Sequence, residues 1–235
     1  MAYILHILVL IGIYVILSVS LNLVAGYTGM LTLAHAAFYG VGAYTVALMS
    51  LKFGTPFWLN LLCSTLVASS LALVVSTPVL RVQDDYFVLA TFGLQIISTS
   101  IFRNWVSFTG GPLGLPGIPQ PRLFGIDVTA DWHFVILVGL FATLTLIVSQ
   151  RLVDAPFGRV LCAIREDEVF AQSLGKNIVQ FKVLVFIIGA AFAAGAGGLY
   201  AVYITFIDPT SFTVQESIFM VAIVIVLTMF TFLLS

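Results

Sequence analysis

The chain has 235 residues, of which 61% are apolar and 8% charged, with a formal net charge of -1. A water-soluble domain carries about 25% charged residues, so nine Lys/Arg and ten Asp/Glu cannot coat the surface of one, and most of this chain is solvated by lipid. The near-zero net charge also excludes a nucleic-acid binder, which carries a basic stripe.

A membrane-crossing helix needs about 20 largely apolar residues, and seven stretches are predicted to cross: 2–24, 29–51, 57–80, 86–102, 132–149, 183–207 and 218–234. The first has no basic flank and no cleavage pattern and runs into Asn22, Gly26 and Gly29, so it reads as a retained helix rather than a secretory signal. Thr32, His35, Gly40, Gly42, Tyr44 and Thr45 crowd the second, which predicts a broken or bent helix. At the start of the fourth, Asp84 and Asp85 follow Arg81. Paired carboxylates can relay protons inside a membrane, but beside a helix start capping is the favoured reading.

The connection from 103 to 131 places Gly110, Gly111, Pro112, Gly114, Pro116, Gly117 and Pro119 within ten positions. Proline fixes φ and glycine supplies φ above zero, so this is a structured loop rather than a helix, with Trp105 and Phe108 as interfacial aromatics. It is either a passive connector or a gate or docking surface. The connection from 150 to 182 is predicted to contain one short helix of about ten residues, with Glu166, Asp167 and Glu168 at its N-terminus and Gly175 and Lys176 at its end. Val169, Phe170 and Leu174 can share a face of it. Too short to span, it lies on the bilayer or docks on a partner; its acidic start favours a protein partner.

In the sixth stretch Gly189, Ala193, Gly197 and Ala201 recur every four residues. Small residues at that spacing let helices approach closely in lipid, within a bundle or at a subunit contact. Orientation follows from basic residues, which stay cytoplasmic. Arg151, Arg159, Arg165, Lys176 and Lys182 put the 150–182 connection inside; alternation then places Arg81 inside, and the N-terminus and the 103–131 loop outside.

The parts of an enzyme are missing. GxxxxGK[ST], HExxH and GxSxG motifs do not occur, and His6, His35 and His133 are scattered. Cys63 and Cys162 lack disulfide or metal-ligand spacing and read as packed small hydrophobes. His6 and His133 fall at membrane faces, whereas His35 in mid-membrane is either functional or a neutral imidazole bonded to its surroundings. Asn22, Thr91 and Gln95 either line a polar path or bond neighbouring helices.

Segments 21–44, 80–93 (LRVQDDYFVLATFG), 104–119 (NWVSFTGGPLGLPGIP), 157–177 (FGRVLCAIREDEVFAQSLGKN) and 190–203 together resemble the permease subunits of branched-chain amino acid ABC importers, the type that carries a TGGPxGLxGIP loop. The resemblance runs through nearly the whole chain in the family's order. It implies an all-α integral membrane protein, a polytopic helix bundle of about seven spans with the ABC importer permease fold. Residues 1–235 would form a single permease domain in the bacterial inner membrane. It further implies a second permease subunit, two cytoplasmic ATPase subunits that bind the ATP, and an external substrate-binding protein, with no cofactor, metal or catalytic residue in this chain.

By the same resemblance Arg165, Glu166, Asp167, Glu168, Phe170, Leu174 and Gly175 would couple to the ATPase. Thr109, Gly110, Gly111, Pro112, Gly114 and Gly117 would lie where the binding protein docks. Asn22, Gly26, Gly29, His35, Thr91 and Gln95 would be near the translocation path. Two departures stand out. Many members carry an acidic residue and an arginine where this chain has Ile96 and Thr99, and members continue past VAIVIVL with a GGxG turn where this chain reads TMFTFLLS to Ser235. A truncated member is therefore expected, with a non-transporting remnant, an importer subunit for urea or short amides, and an autonomous channel or carrier as the alternatives.

Overall fold

A computed structural model describes residues 2–80, 84–123, 126–127 and 131–234. Helix α1 (Ala2–Leu21) passes into a π-helical turn, Asn22–Gly26. Gly29 then takes φ +75°, which glycine adopts without a Cβ penalty, and residues 29–34 run irregularly before α2 (His35–Phe53) begins. The break predicted in the second stretch therefore lies wholly before its helix. The chain continues as α3 (Phe57–Val79), α4 (Asp84–Asn104), the single turn α5 (Val106–Thr109) and α6 (Asp131–Asp154). It then forms α7 (Pro156–Glu166), α8 (Glu168–Ser173), α9 (Ile178–Ile204) and α10 (Val214–Leu234).

Among the described residues six helices are long and apolar enough to cross a bilayer, while the described apolar part of α10 is shorter, Val214–Val226. The protein is thus an all-α, multi-pass membrane protein. Strand pairing is confined to short pieces. β1 (Leu115–Pro116) pairs antiparallel with β4 (Phe206–Ile207), and β2 (Arg122–Leu123) pairs with β3 (Ile126–Asp127).

Helix α9 is the axis of the bundle and packs most extensively on α2 and α3, then α1. Its small residues face other helices of the same chain. A Cβ on Gly197 would run into the Tyr39 carbonyl, one on Gly42 into the Ala194 backbone, and one on Gly189 into Val24. The alternatives of bundle packing and subunit contact thus resolve to bundle packing for this stripe. Phe38 meets Phe186, and Gly42 meets Ala194 further along, so α2 and α9 run parallel.

Two helices begin inside the bundle. Tyr14, the midpoint of the Tyr3–Gly26 span, bonds Glu216 in the first turn of α10, and Gln95, midway along α4, bonds the Phe212 carbonyl just before it. Ser217 in turn reaches Ala36 in the first turn of α2. α2 runs from this level towards the Gly/Pro loop, where Lys52 stands over the Phe108 ring, 5.0 Å from its centroid. α10 enters from the loop side after β4 and packs on to the π-helical turn at the opposite end.

Candidate functional site

The first N–H groups of a helix have no intrahelical partner, and inside a bilayer no bulk water replaces one. At the start of α2 side-chain hydroxyls take that part. Leu33 N donates to Thr91 Oγ1 (3.2 Å), Ala34 N to Thr32 Oγ1 (3.2 Å) and Ala36 N to Ser217 Oγ (3.0 Å). Ser20 Oγ donates to the Leu17 carbonyl (2.8 Å) and stands 2.7 Å from His35 Nε2. A hydroxyl has one proton; with it on the Leu17 carbonyl, the Ser20 oxygen accepts from His35 Nε2. Gln95 Nε2 donates to the Phe212 carbonyl (2.9 Å) and Gln95 Oε1 accepts from Ser217 Oγ (3.4 Å), while Thr99 Oγ1 also reaches Phe212 O (3.2 Å).

His35, Thr91 and Gln95 are thereby gathered, all fully buried, with Ser20, Thr32 and Ser217. The other residues assigned to the path form a second group at the π-helical turn. Asn22 Oδ1 is buried with no partner among the described residues, Gly26 leaves room for that side chain, and the Gly26 carbonyl accepts from Arg165 Nη1 at 2.7 Å. Gly29 makes the turn beyond it. Ser20, Thr32, Thr99 and Ser217 lie outside the expected set of site residues. Ser217 precedes the predicted seventh stretch by one position, so a reading by apolar length leaves it out.

The 150–182 connection departs from the expected single helix. Asp167 is extended (φ -155°, ψ 106°) and splits it into α7 and α8, so Arg165 and Glu166 end α7 rather than begin α8. The physical reason is that Asp167 is a better cap than helix interior residue: its Oδ1 accepts from Phe170 N at 3.0 Å. Helix α7 starts with Pro156 at its first turn and buries Gly158, Leu161 and Ile164. Glu168 pairs with Lys182 on α9, and Gly175, at φ +77°, ends the segment. Val169, Phe170 and Leu174 are 77%, 61% and 62% exposed. Cys162, expected to be packed, is exposed because it lies on the outer face of α7, whereas Cys63 is partly buried.

Replacing Arg165 with Ala should free α7 from the π-helical turn at a cost of about 1 kcal/mol. Backbone hydrogen exchange should quicken in α7 while α9 is unaffected.

The Gly/Pro loop is tied down at both sides. Thr109 Oγ1 donates to the Phe102 and Trp105 carbonyls (2.8 and 2.9 Å) and accepts from Gly111 N (3.2 Å). Gly110 and Gly117 also take positive φ, and Pro112 lies in a 3₁₀ turn, Gly111–Leu113. Gly114 lies against the Ile207 carbonyl, too close for any Cβ, where β1 meets β4. Trp105 and Phe108 pack as a tilted pair with centroids 5.1 Å apart and remain exposed. His6 bonds Tyr203 through Nδ1 (2.8 Å) near this end. His133 Nδ1 is buried without a partner among the described residues. The capping expectation for Asp84 and Asp85 beside Arg81 falls on side chains outside those described. No cluster of three or more potential metal ligands occurs among the described residues.

One family model, described as the branched-chain amino acid transport system / permease component, matches residues 3–232. The chain belongs to this family. The LivM high-affinity branched-chain amino acid transport permease of Salmonella typhimurium is 38% identical over 236 residues, covering 91% of this chain and 56% of that relative. The probable LivM permease of Methanocaldococcus jannaschii is 29% identical over 86% of this chain and 68% of its own length. The LivH permease of Salmonella typhimurium is 27% identical over 83% of this chain and 68% of its own length. The chain thus spans little more than half of the first of these permeases. No solved structure matches it.

Proposed function

We propose that this permease-family chain is a transmembrane subunit of an ATP-driven importer of branched-chain amino acids. It would pair with a second permease, receive substrate from an external binding protein at the Gly/Pro loop, and be driven by two ATPase subunits that bind the ATP. The observation that carries the reading is the α7–α8 hook. Asp167 caps α8, and the apolar side chains of Val169 and Phe170 on it and of Leu174 just after it project without cover. The hook is fastened to the first span through Arg165 and Gly26, and to α9 through Glu168 and Lys182. A partner gripping α8 therefore pulls on two spans at once. The five basic residues between 150 and 182 assign this end to the cytoplasm.

Co-purification tests the reading. Expressed with its partner subunits, the wild-type chain should retain an ATPase. Phe170→Asp should lower that retention about tenfold or more, the scale of losing an aromatic anchor at an interface. Because Phe170 is exposed, membrane insertion and thermal stability should stay as in the wild type. A wild-type chain that inserts but retains no ATPase overturns the proposal.

A further inference from the structure

Serine and threonine inside a helix ordinarily bond the carbonyl three or four residues back, and Ser20, Ser64 and Thr145 do so here, on to Leu17, Leu61 and Phe141. Ser18 and Ser149 do not. Their hydroxyls are buried, the residues being 2% and 6% exposed, and like Asn22 Oδ1 they have no hydrogen-bond partner among the described residues. Buried polar atoms in folded proteins are bonded to protein or to ordered water with few exceptions.

The three atoms belong to one seam. Helices α1 and α6 pack extensively and run parallel: a Cβ on Gly12 would meet Val138, Ile16 shares a small cavity with Phe141 and Thr145, and Ser18 and Val19 share a groove with Leu146. One turn further along that register, Asn22 stands level with Ser149. Ser149 continues the buried stripe of Val138, Ala142 and Thr145 that α6 turns to α1. Ser18 lies one turn before Asn22 on α1, where residues four apart are neighbours.

Asn22 is also the first residue of the π-helical turn, and turns of this kind occur frequently at functional sites. Its amide rests on Gly26, where a Cβ would overlap Oδ1, and the Gly26 carbonyl is held by Arg165 Nη1. The three unbonded atoms are neutral: one acceptor and two hydroxyls that can each give or take a proton. A water molecule matches that set, because it donates to the amide oxygen, bonds both hydroxyls and so makes the three bonds typical of a buried water. A metal cation does not, because no carboxylate is among the three and the Arg165 guanidinium is bonded to the same turn. We propose that Ser18, Asn22 and Ser149 together hold one buried water, which braces the π-helical turn against α6. The site stands apart from the transport reading. Its ligands come from α1, α6 and the π-helical turn alone, so it is filled in the isolated chain without any partner subunit.

The sign of a stability change tests it in the purified full chain. If the seam were dry, Ser149→Ala would remove an unbonded hydroxyl and add a better helix former, and the melting temperature would rise. With a shared water the same change strands Asn22 and Ser18, and the melting temperature should fall by about 2–4 °C. Ser18→Ala should lower it similarly, and the double variant should lose less than the sum of the two, as for groups that share one partner. Radiolytic hydroxyl labelling reads the water itself. Radicals formed from it by X-rays should oxidise Leu21 and Leu23, which flank Asn22 and are 0% and 1% exposed, above the level at Leu199, also 1% exposed. Ser149→Ala should abolish that excess.

A melting temperature that rises or stays unchanged in Ser149→Ala, strict additivity of the two serine variants, or labelling at Leu21 and Leu23 no greater than at Leu199 would each overturn the site. So would a wild-type melting temperature that is higher in sodium chloride than in choline chloride while that of Ser149→Ala is not, since a cation would then fill the seam.

Discussion

Gly42→Leu is expected to prevent the bundle from forming, and Gly197→Leu to do the same. At both positions an added Cβ meets backbone of the facing helix, Ala194 for Gly42 and Tyr39 for Gly197. Backbone cannot swing aside as a side chain tip does. Overpacking a core ordinarily costs about 1–3 kcal/mol; here α2 and α9 must separate along their length, which forfeits the packing that holds helices together in lipid. Total stability of a folded protein is about 5–15 kcal/mol, so the leucine variants should fail to yield a monodisperse species in detergent. Gly42→Ala brings the same Cβ against the Ala194 backbone without the rest of the side chain, and should lower stability by about 3 kcal/mol or more, the upper end of that range. Gly139→Ala supplies the control: nothing lies within 4 Å of the position its methyl would take, and helix propensity alone should raise the melting temperature slightly. Equal behaviour of Gly42→Ala and Gly139→Ala would refute the close approach of α2 and α9.

Gln95→Leu has the next largest effect. It leaves the Phe212 carbonyl with Thr99 alone and removes the acceptor for the Ser217 hydroxyl. Ser217→Ala leaves the Ala36 N–H unbonded at the start of a helix inside the membrane. Each stranded buried polar group costs about 1–3 kcal/mol, and no water stands ready to relieve it. We expect about 2 kcal/mol from either variant, read as a fall in thermal stability of the purified chain. Because both residues belong to one network, the double variant should cost less than the sum of the two. Strict additivity would show that the Gln95 and Ser217 groups act separately.

Lipid makes long apolar elements legible, which is why hydropathy finds the spans and misses the short pieces. The sixth stretch begins five residues before its predicted start because polar Gln180 and Lys182 sit in its first turns. Helix α7 is hard to see because Arg159, Arg165 and Glu166 give it the charge of a loop. Its pattern is nonetheless present, with Phe157, Leu161 and Ile164 spaced by four and three. That the second stretch breaks is visible in its glycines and hydroxyls; where it breaks depends on Gly29 and on Thr91 and Ser217, which lie far away in sequence. His35 shows the same limit. Its position marks it, but only the fold reveals that Ser20 is its neighbour. Glu216 is hidden because α10 starts inside the bundle, so a residue that reads as a flank lies at mid-depth.

The order in which the helices are made adds a consequence of its own. Helix α2 is the least apolar of the six spans, and also the one most enclosed by its neighbours. Yet it leaves the ribosome second, long before the α9 surface that encloses it. The newborn α2 must therefore be sheltered at the insertion machinery, or by α1 and α3, until α9 arrives. Slowing translation between α3 and α9 should lengthen that exposure and favour degradation of the nascent permease.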